Sequence, residues 1–199
     1  MVQENKLRSA LRQAVRGAAA LKDKLDAVFS EPIAIISMAC RFPGSANTPE
    51  ALWELLNEGV DAVGEVPLSR FDVEPYFKEN QEVRGKTYTK WGGFLGDVKK
   101  FDAAFFDISP KEAKSIDPQQ RLLLETTWEM LERVYVLPAS LKDSKTGVYV
   151  GLSGTEYQSD AMAHAKQIDA YSLLGTAHST IVGRLSYWLG LQGPNFPID

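Results

Sequence analysis

Residues 6–29 contain no proline and repeat apolar positions at Leu7, Leu11, Ala14, Ala18, Leu21, Leu25 and Val28. The intervals alternate between four and three, so these positions form one seam of a helix in the heptad pattern of a two-stranded coiled coil. Ala, Leu, Lys and Arg supply most of the remainder and favour helix. Gly17 and the two central alanines dilute the seam, and a helix packed on its own domain would show the same stripe. Ser30-Glu31-Pro32 ends it, because proline cannot continue a helix and disfavours helix in the residue before. Residues 33–39 are then almost continuously apolar, which predicts a strand covered on both faces.

Further capped helices follow. Thr48-Pro49 is a cap and first-turn pair opening a helix with Leu52, Leu55 and Leu56 on one face and Gly59 at its close. Residues 60–100 are rich in turn formers, among them Gly64, Pro67, Pro75 and Gly92-Gly93, and predict loops and short strands. Arg84-Gly85-Lys86 reads as an exposed turn, since a phosphate cradle would need a strand before it and a helix after it. Asp117 is a good N-cap, Pro118 suits the first helical position, and Gln120 is placed to close a capping box. From 118 to about 136 the positions Leu124, Thr127, Trp128, Leu131 and Tyr135 give one apolar face. Residues 146–151 read as a buried strand, and 175–190 as a helix with Ile181, Leu185, Trp188 and Leu189 inward. Short apolar strands alternating with capped helices predict a layered α/β domain.

The strings Met38-Ala39-Cys40-Arg41-Phe42-Pro43-Gly44, Gly92-Gly93-Phe94-Leu95, Phe101-Asp102-Ala103-Ala104-Phe105-Phe106, Ile108-Ser109-Pro110 and Asp117-Pro118-Gln119-Gln120-Arg121-Leu122-Leu123-Leu124-Glu125 occur in this order. Thr146-Gly147-Val148-Tyr149-Val150-Gly151 and Gly183-Arg184-Leu185-Ser186-Tyr187 through Gly193-Pro194 follow. Together they resemble the β-ketoacyl synthases of modular polyketide synthases across residues 31–199. Ser37 and Asp107 stand where that family commonly has glycine, and residues 134–137 replace a smaller turn-forming stretch. The resemblance implies an incomplete first half of a thiolase-like αβαβα fold, preceded by a coiled-coil-type helix at 1–30. It also implies that this helix resembles those with which such synthases dimerise and dock the C-terminal tail of an upstream synthase protein.

Composition narrows the remaining classes. Residues 1–30 carry six Lys or Arg and three acids, a charge of +3 that leaves −7 for the rest of a chain at −4. A basic helix on an acidic body favours a partner peptide with acidic side chains over nucleic acid, since the body lacks a basic face with interleaved aromatics. No apolar run approaches the roughly 18–20 residues that span a bilayer, and no apolar segment after the N-terminal basic residues reads as a secretory signal. Cys40 is the only cysteine, which excludes an internal disulfide and fits the reducing cytoplasm. It reads as a small buried hydrophobe. His164 reads as a surface helix residue and His178 as a structural one; two histidines and one cysteine lack metal-ligand spacing.

What the resemblance implies chemically is a cysteine thiolate that accepts an acyl chain from a phosphopantetheine arm, two histidines that assist decarboxylation of a malonyl-type extender, and backbone N–H groups that hold the thioester oxygen. In the family the strand after Gly-Leu-Gln-Gly-Pro runs into Thr-Ala-Cys-Ser-Ser, whose cysteine is the nucleophile. That cysteine is expected about three residues past Asp199, and the histidines far beyond. No catalytic, cofactor-binding or metal-ligating residue is therefore expected within residues 1–199, and the phosphopantetheine would arrive on an acyl carrier protein. Residues 1–199 alone are expected to be inactive, with unpaired strand edges. Two alternatives stand beside the enzyme fragment. One is a non-catalytic docking or dimerisation module, which a stop codon directly after residue 199 would favour. The other is a fatty-acid or hybrid peptide–polyketide system with the same type of ketosynthase.

Overall fold

The structure, a computed structural model, describes residues 2–80, 83–154, 156–163 and 170–199. It divides into two compact units, Met1–Ile36 and Ser37–Asp199. In the first, helix α1 (Val2–Ser30) runs unbroken through Gly17. Leu11, Ala14, Ala18, Leu21 and Leu25 of the seam are exposed. The side chains of Leu7 and Val28 lie outside the described residues, as does His164.

Residues 33–39 do not form the expected strand. They have no regular secondary structure, and Ile33, Ile35 and Ile36 are exposed. A strand needs a neighbouring edge to receive its backbone groups, and this apolar run pairs with none among the described residues.

In the second unit, α2 (Pro49–Asn57) starts as the sequence suggests, with the Thr48 hydroxyl accepting from the Ala51 N–H at 3.1 Å. Leu52 and Leu55 are half-buried, whereas Leu56 is exposed. Residues 60–100 hold a short antiparallel pair, β1 (Val63–Glu65) with β2 (Trp91–Gly93), and a 3-10 turn at Glu74–Tyr76. Arg84-Gly85-Lys86 is exposed. Helix α3 (Pro110–Ser115) is capped by the Ser109 hydroxyl, which accepts from the Glu112 N–H. Helix α4 (Pro118–Arg133) is capped by Asp117, whose carboxylate accepts from the Gln119 N–H at 2.7 Å.

The apolar face of α4 ends earlier than its spacing suggests. Leu124 and Leu131 are buried, but Tyr135 lies past the helix end with φ +57° and is 94% exposed. The chain has already turned out of the helix at Val134, so the three-and-four spacing no longer aligns Tyr135 with Leu131.

β3 (Val148–Gly151) is followed by α5 (Glu156–Ala163), α6 (Ala170–Thr176), α7 (His178–Leu189) and β4 (Asn195–Ile198). β3 and β4 pair in parallel with Val148 opposite Asn195 and Gly151 opposite Ile198. Parallel neighbours need a long crossover, and the three helices supply it. β3 is not buried on both faces: exposure alternates along it, and Tyr149 stacks on Phe196 of β4 with both rings exposed. The helix expected over 175–190 starts at His178, Gly175 belonging instead to α6. Its C-terminus is Gly190 at φ +66°, a left-handed position that glycine fills without steric cost.

The core lies between α4 and α7. Phe106, Ile108, Ile116, Leu124 and Leu185 form one buried cluster, and Leu131, Leu189 and Leu191 a second. Phe106 sits 5.0 Å from Trp188, and Phe105 packs edge-on against Trp128 at 4.7 Å. Such ring pairs add about 0.5–1.5 kcal/mol each beyond the area they bury.

Candidate functional site

A polar knot ties four helices together at the start of α4. Gln120 does not close a capping box. It is buried, and its side-chain amide donates to the Gly175 carbonyl at 2.7 Å while its oxygen accepts from Arg184 Nε at 3.1 Å. Tertiary partners outbid the local cap because a buried amide must satisfy both ends. The Asp117 N–H donates to the same Gly175 carbonyl at 2.8 Å. Arg184 Nη1 donates to Glu112 at 2.7 Å, an ion pair with both side chains largely buried. One carbonyl, one amide and one guanidinium thus lock α3, α4, α6 and α7. With all members satisfied, such a network specifies a unique arrangement.

That arrangement fixes where β4 emerges. The Asn195 side chain donates from Nδ2 to the Ser186 hydroxyl of α7 at 2.9 Å. The Val148 N–H donates to the Pro194 carbonyl and the Leu152 N–H to Ile198, each at 2.8 Å. Because the strands are parallel, their carboxyl ends share one edge, where open α/β sheets bind ligands. His178 stands at that edge, its Nε2 donating to the Gly154 carbonyl at 3.0 Å and holding the segment after β3 to the start of α7.

A second charged cluster lies along α4. Arg41 donates to the Cys40 and Asn47 carbonyls and pairs with Glu129, whose hydrogen bond holds the guanidinium above its ordinary value. Burial pushes the neighbouring Glu125 carboxyl up. Arg133 pairs with Glu50. Cys40 is half-buried rather than fully enclosed, its sulfur 3.8 Å from the Ala46 carbonyl. Among the described residues no group of His, Cys, Asp and Glu could hold a metal ion, and no helix is long and apolar enough to cross a membrane.

The pairing of Glu112 with Arg184 has a trace in the sequence. Arg184 falls three residues after Ile181 and one before Leu185, which puts a cation beside the inward stripe of α7. A charge there needs a buried partner.

Residues 30–199 match the N-terminal domain of β-ketoacyl synthases. The chain belongs to the β-ketoacyl synthase family. It is 45% identical over 183 residues to a phenolphthiocerol/phthiocerol polyketide synthase of Mycobacterium tuberculosis, covering 90% of this chain and 12% of that protein. The erythronolide synthase EryA2 of Saccharopolyspora erythraea is 42% identical over 200 residues, covering 100% of this chain and 6% of that one. Among solved structures, the oxazolomycin ketosynthase domain OzmH KS7 of Streptomyces albus JA3453 superposes with a TM-score of 0.73 at 36% identity. The match covers 83% of this chain and 28% of that domain. The ketosynthase from module 6 of the bacillaene synthase of Bacillus subtilis 168 gives 0.66 at 31%, covering 83% and 26%. The fold is therefore part of a thiolase-like ketosynthase domain with polyketide synthase relatives. Residues 1–199 span only a small share of these relatives' length.

Proposed function

We propose that residues 31–199 form the N-terminal part of a polyketide synthase ketosynthase, whose complete form performs a decarboxylative Claisen condensation. The observation that carries this reading is the parallel β3–β4 pair, set by the knot at α4 and α7, within a match that runs to residue 199. In the reaction a cysteine thiolate attacks an acyl thioester and releases the phosphopantetheine thiol of the donor carrier protein. A carrier-bound malonyl-type extender loses carbon dioxide to give an enolate. That enolate attacks the acyl-cysteine, forming the carbon–carbon bond, freeing the cysteine and leaving a β-ketoacyl thioester on the carrier. The role of residues 1–199 is positional: the Asn195–Ser186 contact and the sheet register aim the end of β4. The test combines a polypeptide carrying these residues and their continuation with an acyl thioester and a malonyl-charged carrier protein. A β-ketoacyl carrier product is expected; release of carbon dioxide without condensation, or no turnover, would overturn the assignment. Residues 1–199 alone are expected to give no product.

A second reading concerns α1. Its exposed Leu11, Leu21 and Leu25, and a match to EryA2 that extends over the whole chain, support a dimerising helix at 1–30 that docks the acidic C-terminal tail of an upstream synthase protein. Such a homodimer would work in the cytoplasm with acyl carrier protein. A non-catalytic docking module is the competing outcome. Concentration-dependent helicity of the 1–30 peptide, lost in Leu21→Glu, is expected; helicity independent of concentration argues against dimerisation.

A further inference from the structure

His178 is the first residue of α7, yet its ring serves a residue 24 positions earlier, the Gly154 carbonyl at 3.0 Å. A carbonyl only accepts, so the proton of this contact sits on Nε2. The place it holds is set by the sheet. The β3–β4 register ends with Gly151 opposite Ile198, and the last ladder bond runs from the Leu152 N–H to the Ile198 carbonyl at 2.8 Å. Ser153 and Gly154 therefore leave the sheet beside Asp199, at the shared carboxyl edge. Leu152 is buried, Ser153 exposed and Gly154 half-buried. Gly154 has φ +89°, a bend that glycine takes without steric cost. That bend lies past the last ladder bond, and the His178 ring ties it to α7.

We infer that His178 is a positioning residue for the acyl site: by fixing the Gly154 carbonyl it holds Ser153 and Gly154 as a wall beside the segment that follows Asp199. The inference rests on the ketosynthase reading, in which the acyl-accepting cysteine lies about three residues past Asp199, within about 10 Å even for extended chain. An acyl chain delivered to that cysteine meets the carboxyl edge where the bend stands. The imidazole moves no proton in this role, because its Nε2 proton is committed to the carbonyl. A wall touches the acyl chain before and during transfer alike. Loosening it therefore weakens acyl binding more than it slows the bond-making step.

The test compares wild type, His178→Asn and His178→Gln in the complete ketosynthase polypeptide, with the hexanoyl thioester of N-acetylcysteamine as acyl probe. The glutamine amide reaches as far as Nε2 and keeps a donor there, whereas the asparagine amide falls one bond short. Acyl-enzyme formation is followed by mass spectrometry against probe concentration, and alkylation of the same cysteine by iodoacetamide, which needs no acyl wall, is timed alongside. His178→Asn is expected to raise the half-saturating probe concentration about five- to tenfold, as for one lost hydrogen bond, with the saturated rate and the alkylation rate within about twofold of wild type. His178→Gln is expected to return half-saturation to within about twofold of wild type. An asparagine variant that binds the probe like wild type overturns the inference, even if it melts lower, because the contact is then structural only. So does a glutamine variant that shifts as far as asparagine, or an equal slowing of acylation and alkylation. Wild type that forms no acyl-cysteine refutes the ketosynthase reading and the inference with it; normal wild-type acylation with indifferent variants sinks the inference alone.

Discussion

Replacing Gly175 with alanine should open the polar knot. Gly175 is buried in α6, and its carbonyl accepts from both Asp117 N–H and Gln120 Nε2. A Cβ built there would fall 2.0 Å from the Ser115 carbonyl oxygen, 2.6 Å from its carbon and 3.1 Å from Ile116 Cα. All three are backbone atoms, so no side chain can swing aside. The segment containing α6 must therefore retreat from the end of α3, which costs about 1–3 kcal/mol as overpacking. Retreat also lengthens both hydrogen bonds to the Gly175 carbonyl, at about 1 kcal/mol each. The sum is about 3–5 kcal/mol, or roughly 10 °C in melting temperature for a domain of this size or larger. Gly183 in α7 is the control, because a Cβ there meets nothing within 4 Å. Gly183→Ala should stabilise by about 0.5–1 kcal/mol through helix propensity alone. Thermal melts of the ketosynthase polypeptide, followed by circular dichroism, compare the two. Equal melting of Gly175→Ala and wild type, or a Gly183→Ala variant that melts lower, would refute the packing argument.

Other expectations rest on separate contacts. Arg184→Met strands Glu112 and the Gln120 oxygen in a largely buried site, and a loss of about 2–4 kcal/mol is expected in denaturant unfolding, with Arg184→Lys recovering only part. Tyr135→Gly relieves a left-handed backbone under an exposed ring and should gain about 1 kcal/mol in the same assay; a loss would mean the ring has a partner. Burial raises the Glu125 carboxyl above its unfolded value, so its charged form costs stability above the folded pKa and the cost disappears as pH falls through it. Glu125→Gln should therefore melt higher than wild type at neutral pH, with the gap closing in acid; a gap that widens in acid contradicts this sign.

Much of the scaffold was legible because its signals are local. Asp117-Pro118 and Thr48-Pro49 each start a helix through a side-chain oxygen and a missing N–H, and each does so in the structure. The inward stripe Ile181, Leu185 and Leu189 was readable from spacing. What escaped depends on distant segments. Gln120 had a plausible local role and took a tertiary one, because Gly175 and Arg184 lie more than fifty residues away in sequence. Residues 33–39 have the composition of a buried strand, yet composition does not supply the edge to which a strand must bond. Tyr135 departs from its expected face because α4 ends at Arg133 and the chain has already left the helical period at Val134. The ketosynthase assignment came from strings of residues, whereas the polar knot beneath β4 could be seen only once the helices were in place.

The most direct test of the ketosynthase account is acyl transfer in the polypeptide that carries residues 1–199 and their continuation. The protein is incubated with an acyl thioester and no extender, digested, and its acylated peptide located by mass spectrometry. The account predicts a single acyl-cysteine within a few residues after Asp199, at the end of β4. An adduct on Cys40, or none on any cysteine, would contradict it.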